Sequence, residues 1–120
     1  MIRHISPPLS DAKQKAILDG KLRWLLSACE SVNAMPRRII VFGSAARGEL
    51  REDSDIDIAL LFADAESLSV AKKAVYASPR TDFWPVDLLF YTEEEMQSRA
   101  RIGGVCMLIR DEGSVLWEAE

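Results

Sequence analysis

The sequence predicts a small α/β domain, a mixed β-sheet of about four strands flanked by helices. Three observations carry this. Apolar runs rich in β-branched residues or in strict alternation stand at residues 39–42, 55–62, 83–91 and 114–117. Stretches with helical spacing of apolar residues separate them, before residue 33, over 65–77 and after residue 92. Such an exchange of strand and helix periodicities along one chain is the α/β pattern. At 120 residues the chain suits one domain with one core, residues 1–120, in which residues 1–9 form an extended lead-in.

Each element has a local cause. Ser10 is placed to cap a first helix running to about Val32, with Ile17, Leu22, Trp24, Leu25, Leu26, Ala28, Cys29 and Val32 facing inward. Gly20 weakens its middle and allows an early break, and Asn33 and Pro36 end it. Ile39-Ile40-Val41-Phe42, bounded by Gly43, is a buried central strand. Ser44 to Arg47 makes one helical turn closed by Gly48, and a polar loop including Glu52 and Asp53 follows. The next strand, 55–62, sends Ile56, Ile58, Leu60 and Phe62 to one face and Asp55, Asp57, Ala59 and Leu61 to the other. Asp64 caps a helix over Ala65–Ala77 with Leu68, Ala71, Ala74 and Val75 inward. A third strand, 83–91, separates Trp84, Val86, Leu88 and Phe90 from Asp87 and Leu89. Thr92 and Glu95 form a capping box for a helix from about Glu93, which Gly103-Gly104 interrupts before a second piece through Arg110. Gly113 turns the chain into a last strand, 114–117. The helices are expected on one side of the sheet.

Composition narrows the function classes. A hydrophobic fraction of 48% with 28% charged residues suits a soluble globular protein. A net charge of −4 argues against general nucleic-acid binding, which favours basic surfaces, but not against one bound nucleotide. No apolar stretch has the length of a membrane span and no basic-then-apolar leader opens the chain, so the cytoplasm is expected. Cys29 and Cys106 have no CxxC spacing and read as buried free thiols. His4 is the one histidine, which disfavours Ser/His or Cys/His catalysis. Trp24, Trp84 and Trp117 read as core or interface, with Trp117 also open to exposure for a partner.

The acidic residues on strands need a separate explanation. Asp55 and Asp57 share a strand face with Cα atoms roughly 6–7 Å apart. Two carboxylates so close repel each other and lose solvation unless a cation lies between them. A hard divalent ion such as Mg²⁺ takes such oxygen ligands and completes its shell with water and substrate phosphates. Asp87 interrupts another apolar strand in the same way and completes a three-carboxylate face if the two strands are neighbours. Gly43-Ser44 supplies the other half: glycine after a buried strand permits close backbone approach, and the turn beyond it offers free N–H groups to phosphate. Arg47, one turn on, is either a phosphate contact or a solvated surface residue. Glu52 and Asp53 read as loop charges, and Glu93, Glu94 and Glu95 as charge complementing a helix N-terminus.

Gly43-Ser44, ten residues, then Asp55-Ile56-Asp57 resembles the GS-x10-DxD signature of the DNA polymerase β-like nucleotidyltransferase superfamily. The string Gly43-Ser44-Ala45-Ala46-Arg47-Gly48 with Ser54-Asp55-Ile56-Asp57 is similar to its minimal nucleotidyltransferase branch. Val86-Asp87-Leu88 resembles the strand of the third carboxylate, and the closing Glu112 to Trp117 resembles the end of such domains. The resemblance implies a nucleotidyltransferase fold and transfer of AMP from ATP to a hydroxyl, with pyrophosphate released. It implies that Asp55, Asp57 and Asp87 are catalytic and ligate two Mg²⁺ ions, with Asp87 as general base or its positioner. Gly43, Ser44 and Arg47 would be nucleotide-binding. Stand-alone minimal nucleotidyltransferases resemble antitoxins paired with HEPN-domain RNases, and a short chain without an acceptor domain implies an acceptor arriving in trans. A tyrosine of a HEPN toxin is therefore the expected acceptor. Neutralisation by binding alone and a small-molecule, aminoglycoside-type transferase are the alternatives, and homo-oligomerisation stays open.

Overall fold

The computed structural model describes residues 2–4, 12–51, 54–80, 82 and 84–120. In chain order the elements are β1 (Ile2–His4), α1 (Ala12–Ser31), β2 (Arg38–Phe42), β3 (Ile56–Phe62), α2 (Ala65–Ala77), β4 (Val86–Thr92), α3 (Glu93–Ile102), α4 (Gly104–Glu112) and β5 (Ser114–Ala119). The four expected strands are present, and Ile2–His4, within the lead-in, adds a fifth. The sheet order is β1-β5-β2-β3-β4. All neighbours are antiparallel except β3 and β4. That parallel pair follows from α2, since only a crossover element returns the chain to start a second strand in the same direction.

The expectation of helices on one side is corrected. Ile39, Val41, Ile58, Leu60 and Phe62 pack with α1 and α2, whereas Ile40, Phe42, Ala59 and Leu61 pack with Met96, Ala100, Cys106 and Ile109 of α3 and α4. Because β2 and β3 are apolar at successive positions, both faces must be covered, and α3 and α4 cover the second. Thr92 and Glu95 make the capping box and Asp64 caps α2, as expected.

Gly20 does not break α1, whose face of Leu18, Lys21, Leu22 and Leu25 is buried; tertiary packing outweighs one unfavourable propensity. Asn33 does end it, at φ 52°. Val32, expected inward, lies beyond the helix and is exposed. Trp117 is buried, which removes its partner-facing alternative. Cys29 and Cys106 are buried free thiols, and burial pushes the Cys29 thiol up to about 11. The Ser10 cap, Glu52, Asp53 and the start of the third strand at Phe83 lie outside the described residues. Among the described residues no helix is long and apolar enough to cross a membrane.

Candidate active site

β2 ends at Phe42, and Phe42 is the register partner of Asp57 on β3. The chain leaves β2 through Gly43 at φ 70°, a left-handed conformation that favours glycine. A Cβ at this position would collide with Oδ2 of Asp57, so the loop backbone lies directly on that carboxylate. The turn that follows is the expected single helical one: Arg47 N–H donates to Gly43 O at 3.2 Å and Glu49 N–H to Ser44 O at 2.8 Å. Buried Ala45 and Ala46 anchor it, while Gly43 and Ser44 remain half-exposed. Gly43→Ala should keep the fold yet displace loop or carboxylate, lowering turnover about 10²-fold, the scale of a misplacement near 1 Å; steady-state kinetics on the variant checks this.

Strand adjacency, on which Asp87 depends, holds. β3 and β4 are neighbours, and Asp57 and Asp87 are direct register partners in the parallel pair. Asp57 is half-buried, whereas Asp87 and Asp55, which immediately precedes β3, are exposed. Burial raises the Asp57 carboxyl above the ordinary aspartate value of 3.8; the Asp87 and Asp55 charges raise it further, and Arg47 opposes them. The three carboxylates therefore form one electrostatic group centred on Asp57. Arg47 is exposed, pairs with Glu49 at 3.3 Å and still places positive charge within reach of Asp57.

Among the described residues no three His, Cys, Asp or Glu side chains converge as a ready-made metal cage. The donors nevertheless fit a hard divalent ion, which is commonly held by one or two carboxylates together with substrate phosphates. Their mutual repulsion at Asp57 is of the kind a cation relieves. The sign of the pH dependence follows: a carboxyl held above its unfolded value contributes stability that is complete below about 3.8 and lost as pH rises through the folded value. In a chelator, Asp57→Asn should therefore melt above the wild type at pH 7, with the difference shrinking as pH falls towards 4. Thermal melts across pH test this, and an equal difference at every pH would remove the repulsion from the account.

One side chain that sequence reasoning missed holds the carboxylate strands at their entry. Lys21 on α1 is 1% exposed and donates to Asp82 Oδ1 at 2.8 Å and to Trp84 O at 2.6 Å. Asp82 Oδ1 also accepts from Trp84 N–H at 2.8 Å, and Trp84 Nε1 donates to Ser54 O at 2.9 Å. The residues leading into β3 and β4 are thereby tied together and to α1. The signal was present: Lys21 interrupts the apolar stripe of Leu18, Leu22 and Leu25 at helical spacing. The acidic run at residues 93–95 is no metal site: Glu93 pairs with Arg38 and Glu95 closes the capping box.

The sequence profile of the nucleotidyltransferase domain matches residues 22–109. Among solved structures, a candidate nucleotidyltransferase from Sulfolobus solfataricus is 22% identical, with a TM-score of 0.48 over 86% of this chain and 87% of that one. A toxin–antitoxin structure with AMP-PNP includes a chain 25% identical, with a TM-score of 0.47 over 82% of this chain and 73% of the other. No protein of curated description matches the chain.

Proposed function

The chain belongs to the nucleotidyltransferase domain family, and from that premise we propose that it transfers AMP from ATP to a tyrosine hydroxyl of a partner HEPN-domain RNase toxin, acting as its antitoxin. The observation that carries the chemistry is the register pairing of Asp57 with Asp87 beside the Gly43 loop. The partner assignment is supported by the likeness of the 43–48 and 54–57 strings to minimal nucleotidyltransferases.

In this reading Gly43 and Ser44 hold the β- and γ-phosphates through backbone N–H groups and the Ser44 hydroxyl. Arg47 adds positive charge at the same end. Asp55, Asp57 and Asp87 would hold Mg²⁺, which when bound supplies neutralising charge to the phosphates and to the attacking oxygen. The acceptor oxygen attacks the α-phosphorus, its proton passing to Asp87. The bond from the α-phosphorus to the bridging oxygen breaks, and pyrophosphate leaves with that electron pair. Exposed Asp87, at the sheet edge on β4, is open to a hydroxyl carried in by another protein.

The test is incubation of purified protein and partner with ATP and Mg²⁺, followed by mass spectrometry of the partner. Addition of one AMP to a tyrosine is expected. A second reading, neutralisation by binding alone, draws on the lack of a preformed carboxylate cage among the described residues; it predicts inhibition of the toxin with no added mass.

A further inference from the structure

The sheet face that carries Asp57 is roofed further along by α3 and α4, and a cavity of 360 Å³ lies beneath them. Its size falls at the lower end of small-molecule sites. Its floor is apolar, with Ile40, Met96 and Val115, and its rim carries Arg38, Arg101, Arg110 and Gln97. Among the described residues no Asp or Glu lines it, and Gly43, Ser44, Asp55, Asp57 and Asp87 are not part of its wall. It is thus separate from the site of nucleotidyl transfer.

The three arginines are not equivalent. Arg38 is held by Glu93 through two hydrogen bonds, at 3.1 and 2.8 Å, and Arg110 by Asp111, at 2.8 and 3.3 Å. Arg101 is exposed and makes no hydrogen bond or ion pair among the described residues, nor does Gln97 beside the same opening. One uncompensated guanidinium and one amide at the mouth of an apolar chamber select a ligand with matching asymmetry. A triphosphate brings more negative charge than one guanidinium offsets, and an uncharged apolar molecule leaves the guanidinium unused. We propose that this cavity binds a small amphipathic monoanion, its apolar body against Ile40, Met96 and Val115 and its single carboxylate against Arg101 and Gln97.

Decanoate is a suitable probe, titrated into the full ¹⁵N-labelled chain, with decanol and acetate as controls. Saturable amide shifts centred on Ala100, Gly113 and Val115 are expected from decanoate. Decanol should bind about tenfold more weakly, the value of one charge-assisted contact, and acetate not measurably. Arg101→Ala, at an exposed position and verified as folded by an unchanged melting temperature, should weaken decanoate about tenfold while leaving decanol unaffected. Equal affinity for decanoate and decanol, full affinity in Arg101→Ala, shifts centred elsewhere, or no saturable binding would each overturn the proposal.

Discussion

Asp55→Asn/Asp57→Asn should lose AMP transfer to the partner by at least about 10³-fold in kcat/KM, roughly 4 kcal/mol of transition-state stabilisation. The substitutions change charge while nearly preserving shape, so the loss reports the carboxylates and not the packing. Asp57 lies against the Gly43 loop and opposite Asp87, so in the proposed reaction its charge would be felt both by a phosphate on that loop and by Asp87 as proton acceptor. The fold should be kept, because replacing the half-buried Asp57 carboxyl and the Asp55 charge beside it removes a repulsion that disfavours the ionised form. Kinetics by mass spectrometry, with melting curves recorded in chelator, separate the two quantities. Modification at the wild-type rate by the double variant would rule out the catalytic assignment.

The second large effect concerns stability. Lys21→Ala should cost about 3 kcal/mol, at the low end of the range for breaking a buried ion pair. The low end applies because Asp82 is 26% exposed and water can reach it, whereas the Lys21 side chain is only 1% exposed. Two acceptors, Asp82 Oδ1 and Trp84 O, lose their shared donor, and the space of the lysine stem is left behind. Urea denaturation measures the loss. Lys21→Met, which restores the stem's volume without the charge, should recover only the packing part. A change below 1 kcal/mol in Lys21→Ala would mean that the clamp on β4 does not bear on stability. At temperatures where Lys21→Ala stays folded its activity should also fall, because the clamped residues lead into the strand that carries Asp87.

Much of this molecule was legible because its causes are local. Asp64 and the Thr92–Glu95 pair mark helix starts through side chains that bond their own backbone, and Gly43 ends a strand where only a left-handed residue fits. The alternation in residues 56–62 assigns Ile56, Ile58, Leu60 and Phe62 to one face, and they pack together as expected. The candidate site was legible for the same reason: Gly43, Ser44, Asp55 and Asp57 belong to one short stretch whose spacing is itself informative.

What the sequence left open depended on partners distant along the chain. Asp87 joins the site only because β4 pairs with β3 in parallel and in the register that sets it opposite Asp57; a slip of one residue would have turned it to the other face. The second helical layer follows from β2 and β3 being apolar on both faces, while periodicity alone does not say which helices cover which side. Lys21 interrupts the apolar stripe of α1, but its partners, Asp82 and Trp84, lie about sixty residues along the chain and meet it only in the folded structure. Sequence by itself determined which residues are candidates for the chemistry and which local elements hold them. Only the tertiary structure decided which carboxylates meet and what fixes their strands, because pairing and burial are properties of contacts that no local stretch contains.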